Sequence, residues 1–128
     1  MRLIDTSILI DFFRGVPPAK NLVLEEIPVI STISVHEIFA GFKYLNKQSE
    51  SQFFRELFDN VELLDYSKQA AEESSSLAAI LRKKGISINP LDLMIAGTAV
   101  AHGISEIASK DSHFIDIEKV SDLKIVYY

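Results

Sequence analysis

The segment MRLIDTSILIDFFRG, residues 1–15, decides the architecture. Its first five residues read as a short buried strand that ends on a carboxylate, Asp5. Thr6 or Ser7 can then cap a helix over Ile8–Arg14, and Gly15 stops it. A strand that turns directly into a helix begins a β-α unit, and the rest of the chain repeats the pattern. Pro17-Pro18 opens a second helix to about Glu26, and Pro28–Ser31 is a second strand. Ser34 starts a helix whose Val35, Ile38, Phe39, Phe42 and Leu45 follow the 3.6-residue period, and Glu50–Phe58 is helical again. Val61–Leu64 is a third strand. Ser67 opens a long helix with Ala70, Ser74, Leu77, Ala78 and Leu81 on one face. It ends in Arg82-Lys83-Lys84 before Gly85, as the helix dipole and a left-handed cap favour. Asn89-Pro90 opens a largely buried helix to about Ala101, and Ile104–Ala108 and Leu123–Tyr127 are the last strands. This alternation predicts an α/β three-layer sandwich, with a parallel sheet of about five strands between helices. No repeat, low-complexity tract or linker interrupts it, so residues 1–128 are expected to form one domain.

Composition narrows the chemistry. Of 128 residues 48% are apolar, enough for a core, and 24% are charged, which places the chain among globular proteins. Asp5 and Asp11 interrupt the first apolar stretch, so it lacks a secretory pattern, and no apolar run reaches the ~18–20 residues of a membrane helix. The expected location is the cytoplasm. Cysteine is absent, which excludes disulfides, thiolate metal sites and cysteine nucleophiles. His36, His102 and His113 lack metal-ligand spacing, so a metal would meet mostly oxygen, pointing to magnesium or manganese. The net charge of −5 argues against a generic nucleic-acid binder but not against an enzyme whose acids hold metal.

Four acids stand beside the ends of apolar runs: Asp5, Glu37, Asp92 and Asp111. In an open α/β sheet, ligands bind outside the carboxyl ends of the strands. Four carboxylates gathered there repel one another unless a cation holds them or protons are retained. Each acid also has an ordinary explanation. Ser34-x-x-Glu37 matches a capping box, and Asp92 stands third after Asn89, where a negative charge suits the helix dipole. Asp5 and Asp111 can be turn residues at strand ends. Thr6, Ser7 and Ser109 add hydroxyls able to orient a ligating carboxylate. Asp11 can be exposed or approach the cluster. Asp116, Glu118 and His113 can join it, though a solvated surface explains them more simply.

LIDTSILIDFFRG at 3–15, ISVHEIFAG at 33–41, NPLDLMIAGTAVAHG at 89–103 and IASKDSHF at 107–114, in this order, resemble the PIN-domain ribonucleases, most closely the VapC-like toxins of VapBC toxin–antitoxin pairs. The resemblance covers nearly the whole chain and implies a PIN-like fold. It implies that Asp5, Glu37, Asp92 and Asp111 are the metal-binding acids. Ser7 stands where many members have asparagine, and Ser109 where threonine is usual. Where members often place a further aspartate, two residues past the last acid, this chain has His113. The implied activity is magnesium- or manganese-dependent endoribonuclease cleavage of transfer or ribosomal RNA. The implied assembly is a homodimer whose site is masked by a basic-tailed VapB-like antitoxin.

Phosphodiester hydrolysis needs an activated water and neutralised charge, which one or two carboxylate-held ions supply. Asp5 and Asp92 are the expected core ligands, with Glu37 and Asp111 outside them and Glu37 also able to take a proton from the water. Ser7 and Ser109 would orient that shell. Candidate RNA-phosphate contacts are Arg14, Lys43, Lys47 and Lys110, each of which can equally be a solvated cation. A haloacid-dehalogenase-like phosphatase needs a second aspartate at position 7, which is Ser7. A response-regulator receiver needs an acidic pair before its interior strand, which Val61–Leu64 lacks. The alternative is a non-catalytic PIN-like interaction module in an RNA-processing or regulatory complex. Seven phenylalanines (Phe12, Phe13, Phe39, Phe42, Phe53, Phe54 and Phe58) load a small core, so some are expected on a dimer face or in an antitoxin groove.

Overall fold

The computed structural model describes residues 1–128. The elements in chain order are β1 (Arg2–Ile4), α1 (Thr6–Phe13), α2 (Pro17–Leu24), β2 (Pro28–Ser31), α3 (Thr32–Leu45) and α4 (Gln48–Asn60). They continue with β3 (Glu62–Leu64), α5 (Lys68–Lys83), α6 (Pro90–Ala101), β4 (Glu106–Ala108), α7 (His113–Lys119) and β5 (Lys124–Val126). The five strands pair in parallel in the order β3-β2-β1-β4-β5. The chain runs outward from β1 through β2 to β3, then returns to the other side of β1 as β4 and β5. Strand order therefore reverses beside β1, and the crevice outside its carboxyl end is where a ligand is expected.

Side chains alternate across each strand, which divides the core in two. Leu3, Val29, Ile107 and Ile125 lie in register and pack with Leu77, Leu81, Ile95 and Phe114 under α5, α6 and α7. Ile4, Ile30 and Ala108 face the other way, against Ile8, Ile38, Phe54 and Phe58 of α1, α3 and α4. The result is the expected three-layer sandwich. No helix is long and apolar enough to cross a membrane.

Several boundaries differ from the sequence expectation for local reasons. The sequence pattern starts β4 at Ile104, but the Ile104 N–H bonds to Ala99 O at 2.9 Å, so this residue belongs to the turn that closes α6. Helix α1 begins at Thr6 because the Ile8 and Leu9 N–H groups both reach Asp5 O at 3.1 Å, making Asp5 the N-cap. Helix α3 begins at Thr32, two residues before Ser34, capped by Ser31 Oγ accepting from the Ile33 N–H at 3.1 Å. Helix α7 was not expected. Its only buried residues are Phe114 and Ile117, too short a stripe to stand out among the polar residues around it.

The phenylalanines make up much of the second core layer. Phe42, Phe54 and Phe58 are buried and the other four are half-buried. They pack on one another, with ring centroids 5.1 Å apart for Phe13–Phe53, 5.2 Å for Phe53–Phe54 and 5.3 Å for Phe39–Phe42. Tilted and edge-on contacts of this kind satisfy the ring quadrupoles. They fill the α1–α3–α4 layer, and Phe13, Phe42 and Phe54 also line the cleft between these helices. The exposed apolar side chains are others, among them Leu24, Ile27, Tyr44 and Leu45.

Candidate metal centre

Asp5 stands where β1 turns into α1, at the crevice. Its N–H bonds to Ala108 O at 2.9 Å, so the ladder with β4 fixes its backbone. Its side chain does not cap the helix. Oδ2 instead accepts from Ser7 Oγ at 3.0 Å and Ser109 Oγ at 2.8 Å. Ser7 Oγ in turn accepts from the Lys110 N–H, and Ser109 Oγ from the Asp111 N–H, each at 3.0 Å. The two hydroxyls tie the first acid to the loop that carries the last. Asp5 is 4% exposed. Burial pushes its carboxyl above the ordinary carboxylate range, while the two hydroxyls pull it back.

Glu37 projects from α3 toward the same crevice. A capping box would turn it to the Ser34 backbone amide, but the helix starts earlier and Glu37 lies in its second turn. Glu37 Oε1 accepts from Thr6 Oγ1 at 2.9 Å, and that hydroxyl also lies 3.0 Å from Ser34 Oγ. Thr6 thus does for Glu37 what Ser7 and Ser109 do for Asp5. Burial raises the Glu37 carboxyl, the Thr6 bond opposes it, and the negative charge of Asp5 adds to the rise.

Asp92 lies in the first turn of α6, whose cap is Asn89 Oδ1 accepting from the Leu91 N–H at 2.9 Å. Asp92 makes no cap bond. It is 8% exposed, and its Oδ2 is buried with no hydrogen-bond partner. An ionised oxygen stranded in this way is costly unless a cation or proton meets it. Burial, then the charges of Asp111 and Asp5, raise its carboxyl to about 7. Asp111 is half-buried beside it, and one donor atom each of Asp92, Asp111 and His113 lies within 4.8 Å of the others. His113, for which the sequence favours a solvated surface, lies beside both acids. Its Nδ1 is 3.5 Å from Asp111 Oδ1 and 3.6 Å from Asp92 Oδ2.

Asp92 and Asp111 thus stand together with His113, while Asp5 and Glu37 act on them through their charges and lie outside that closest group. Oxygen donors with a single imidazole fit a hard or borderline divalent ion. Asp116 is directed elsewhere, 4.0 Å from Lys119 Nζ, and Glu118 Oε2 accepts from the Ile125 N–H at 2.7 Å. Asp11 is buried but outside the cluster, paired with Lys110 Nζ at 2.6 Å and accepting from the Tyr128 hydroxyl. Lys110 is thus committed to the protein, Lys47 lies 3.6 Å from Glu50, and Lys43 lies over the Phe39 ring. Arg14 is exposed and has no ion pair. It shares a cleft of about 180 Å³ with Thr6, Glu37 and Lys47.

Comparison with known proteins agrees with this geometry. Residues 2–120 match the PIN domain family. The chain is 31% identical over 114 residues to ribonuclease VapC1 of Methanocaldococcus jannaschii, covering 88% of this chain and 77% of that one. It is 30% identical over 97 residues to the tRNA(fMet)-specific endonuclease VapC of Salmonella typhimurium, covering 75% and 71%. Among solved structures, VapBC2 of Rickettsia felis bound to promoter DNA superposes with a TM-score of 0.81 at 21% identity, covering 98% of this chain and 97% of that one. DNA-bound VapBC of Salmonella typhimurium gives 0.79 at 25% identity, covering 98% and 96%. A five-stranded parallel sheet that gathers acids at its switch point, together with these relatives, places the chain in the PIN-domain family, among its VapC-type endoribonucleases.

Proposed function

We propose that this chain, as a single PIN-like domain over residues 1–128, hydrolyses RNA phosphodiester bonds with Mg2+ or Mn2+ held by Asp5, Asp92 and Asp111. The observation that carries the proposal is the buried, unpartnered oxygen of Asp92 beside the carboxylates of Asp111 and Asp5. When bound, the divalent ion supplies an acidified water and positive charge against the phosphate. The protein supplies the rest. Ser7 and Ser109 hold Asp5 in one orientation, and Thr6 holds Glu37. Burial makes Glu37 a stronger base than a solvated glutamate, which suits it to accept the proton of the attacking water. Arg14 is the cation best placed to meet an RNA phosphate.

In this reading the chain is a cytoplasmic toxin of a VapBC-type pair, and a structured RNA such as a transfer RNA is its substrate class. The Salmonella relative named for a transfer RNA and the relatives solved as VapBC complexes support this. The antitoxin's seat is the cleft between α1, α3 and α4, where Leu45 is 56% exposed and neighbouring Tyr44 is 89% exposed. Leu24, the last residue of α2, and Ile27, just beyond it, are exposed and support a homodimer.

The test is cleavage of a mixed RNA pool with and without chelator. Asp5→Asn should abolish metal-dependent cleavage while leaving the melting temperature equal to or above wild type, because it removes one of the mutually repelling charges. If Asp5→Asn cleaves like the parent, the assigned chemistry is wrong. Metal binding without any cleavage by the wild type would favour the non-catalytic module.

A further inference from the structure

The residue two places past Asp111 is an imidazole whose position is set by the site itself. The His113 N–H bonds to Asp111 Oδ1 at 2.9 Å, so the first turn of α7 is anchored on that carboxylate. The ring then presents Nδ1 at 3.5 Å from Asp111 Oδ1 and 3.6 Å from Asp92 Oδ2. These separations are too long for good hydrogen bonds, which run about 2.7–3.2 Å. They are close to the spacing of donors that share an ion, since two ligands each about 2.1 Å from a metal lie roughly 3.0–3.4 Å apart. Asp92 Oδ2, the oxygen facing Nδ1, is the buried atom that nothing in the protein satisfies.

We propose that His113 Nδ1 is a direct ligand of the divalent ion, completing a set with Asp92 and Asp111, and that it turns the preference of the site from magnesium toward first-row transition ions such as manganese. The inference rests on the proposed metal-dependent function and specifies which ion it uses. Magnesium is bound almost wholly through oxygen and gives up its waters reluctantly. Imidazole is a ligand of transition ions, so exchanging a carboxylate for it weakens the case for magnesium more than that for manganese. The ring is half-exposed at the crevice mouth, so it can swing a few tenths of an ångström onto an ion without disturbing the core.

The test uses the full chain loaded with Mn2+ or Mg2+ alone. Pulsed electron paramagnetic resonance of the Mn2+ form should show coupling to a nitrogen nucleus in wild type and none in His113→Ala. Calorimetry should show Mn2+ affinity falling about 10–100-fold in His113→Ala. His113→Asp should raise Mg2+ affinity relative to Mn2+. Bound Mn2+ without nitrogen coupling, or an unchanged Mn2+-to-Mg2+ ratio in His113→Asp, overturns the inference and leaves the ribonuclease assignment standing. If wild type binds no Mn2+ at all, the inference and the metal-dependent mechanism fall together.

Discussion

Asp92 shows how one side chain links stability to function. Its carboxyl sits at about 7 because burial, then Asp111 and Asp5, oppose its charge. In the unfolded chain the same group titrates near ~4. Between those values the folded protein holds a proton that the unfolded chain has lost, so stability without metal falls as pH rises through that window. Burial raises Asp5 and Glu37 too, and both push in the same direction. Asp11 works the other way. Its bonds to Lys110 and then Tyr128 hold its carboxyl below the usual range. Its contribution is complete above ~4 and is lost as pH drops further. Urea unfolding in EDTA across pH 4–8 should therefore show declining stability toward neutrality, and saturating Mn2+ should remove the decline. Asp92→Asn should flatten the metal-free slope. A slope as steep in Asp92→Asn as in wild type would show that the strain lies with another group.

At the scale of elements, the site depends on how closely α6 can approach α5, because α6 carries Asp92. The contact is made at Gly97, where an added Cβ would lie 2.6 Å from Ala70 O and from Ser74 Cβ. Ser74 has little room to yield, since its hydroxyl bonds to the Tyr66 hydroxyl at 2.8 Å and to Ala71 O at 3.2 Å. Alanine is the better helix former by about 1 kcal/mol, yet overpacking of this kind costs roughly 1–3 kcal/mol or more. Gly97→Ala should therefore destabilise the protein and weaken Mn2+ binding as α6 is pushed from its seat. A higher melting temperature would mean that the helices can part freely. The sequence made the alternation of strands and helices legible, and the four acids with it, because hydrophobic period and chain position are local signals. The capping-box match at Ser34 and Glu37 misled because Ser31, three residues earlier, is the true cap. The Thr6–Glu37 and Ser109–Asp5 bonds join residues 31 and 104 positions apart, and no local pattern encodes such pairings. The sequence leaves His113 between the site and the surface for the same reason, since only the packing of α7 brings it to Asp92.

For the molecule as a whole, the question is how a chain of net charge −5 draws in a polyanion. Each divalent ion at the crevice cancels two of those charges, so RNA engagement and metal loading should reinforce one another. The protein's own cations contribute selectively. Lys110 is spent on Asp11 and Lys47 is shared with Glu50, whereas Arg14 stands exposed in the cleft with Thr6 and Glu37. A guanidinium there can hold a phosphate through paired hydrogen bonds while the scissile bond meets the carboxylates. Arg14→Ala should then raise KM for RNA and leave Mn2+ affinity unchanged. The loss of one phosphate contact to a single strand should lower the slope of log affinity against log salt by about 0.7. Cleavage rates measured across a salt series for both proteins test this directly. Parallel lines would place the phosphate contacts elsewhere on the surface, and a change in Mn2+ affinity would show that Arg14 acts through the metal centre instead of on the RNA.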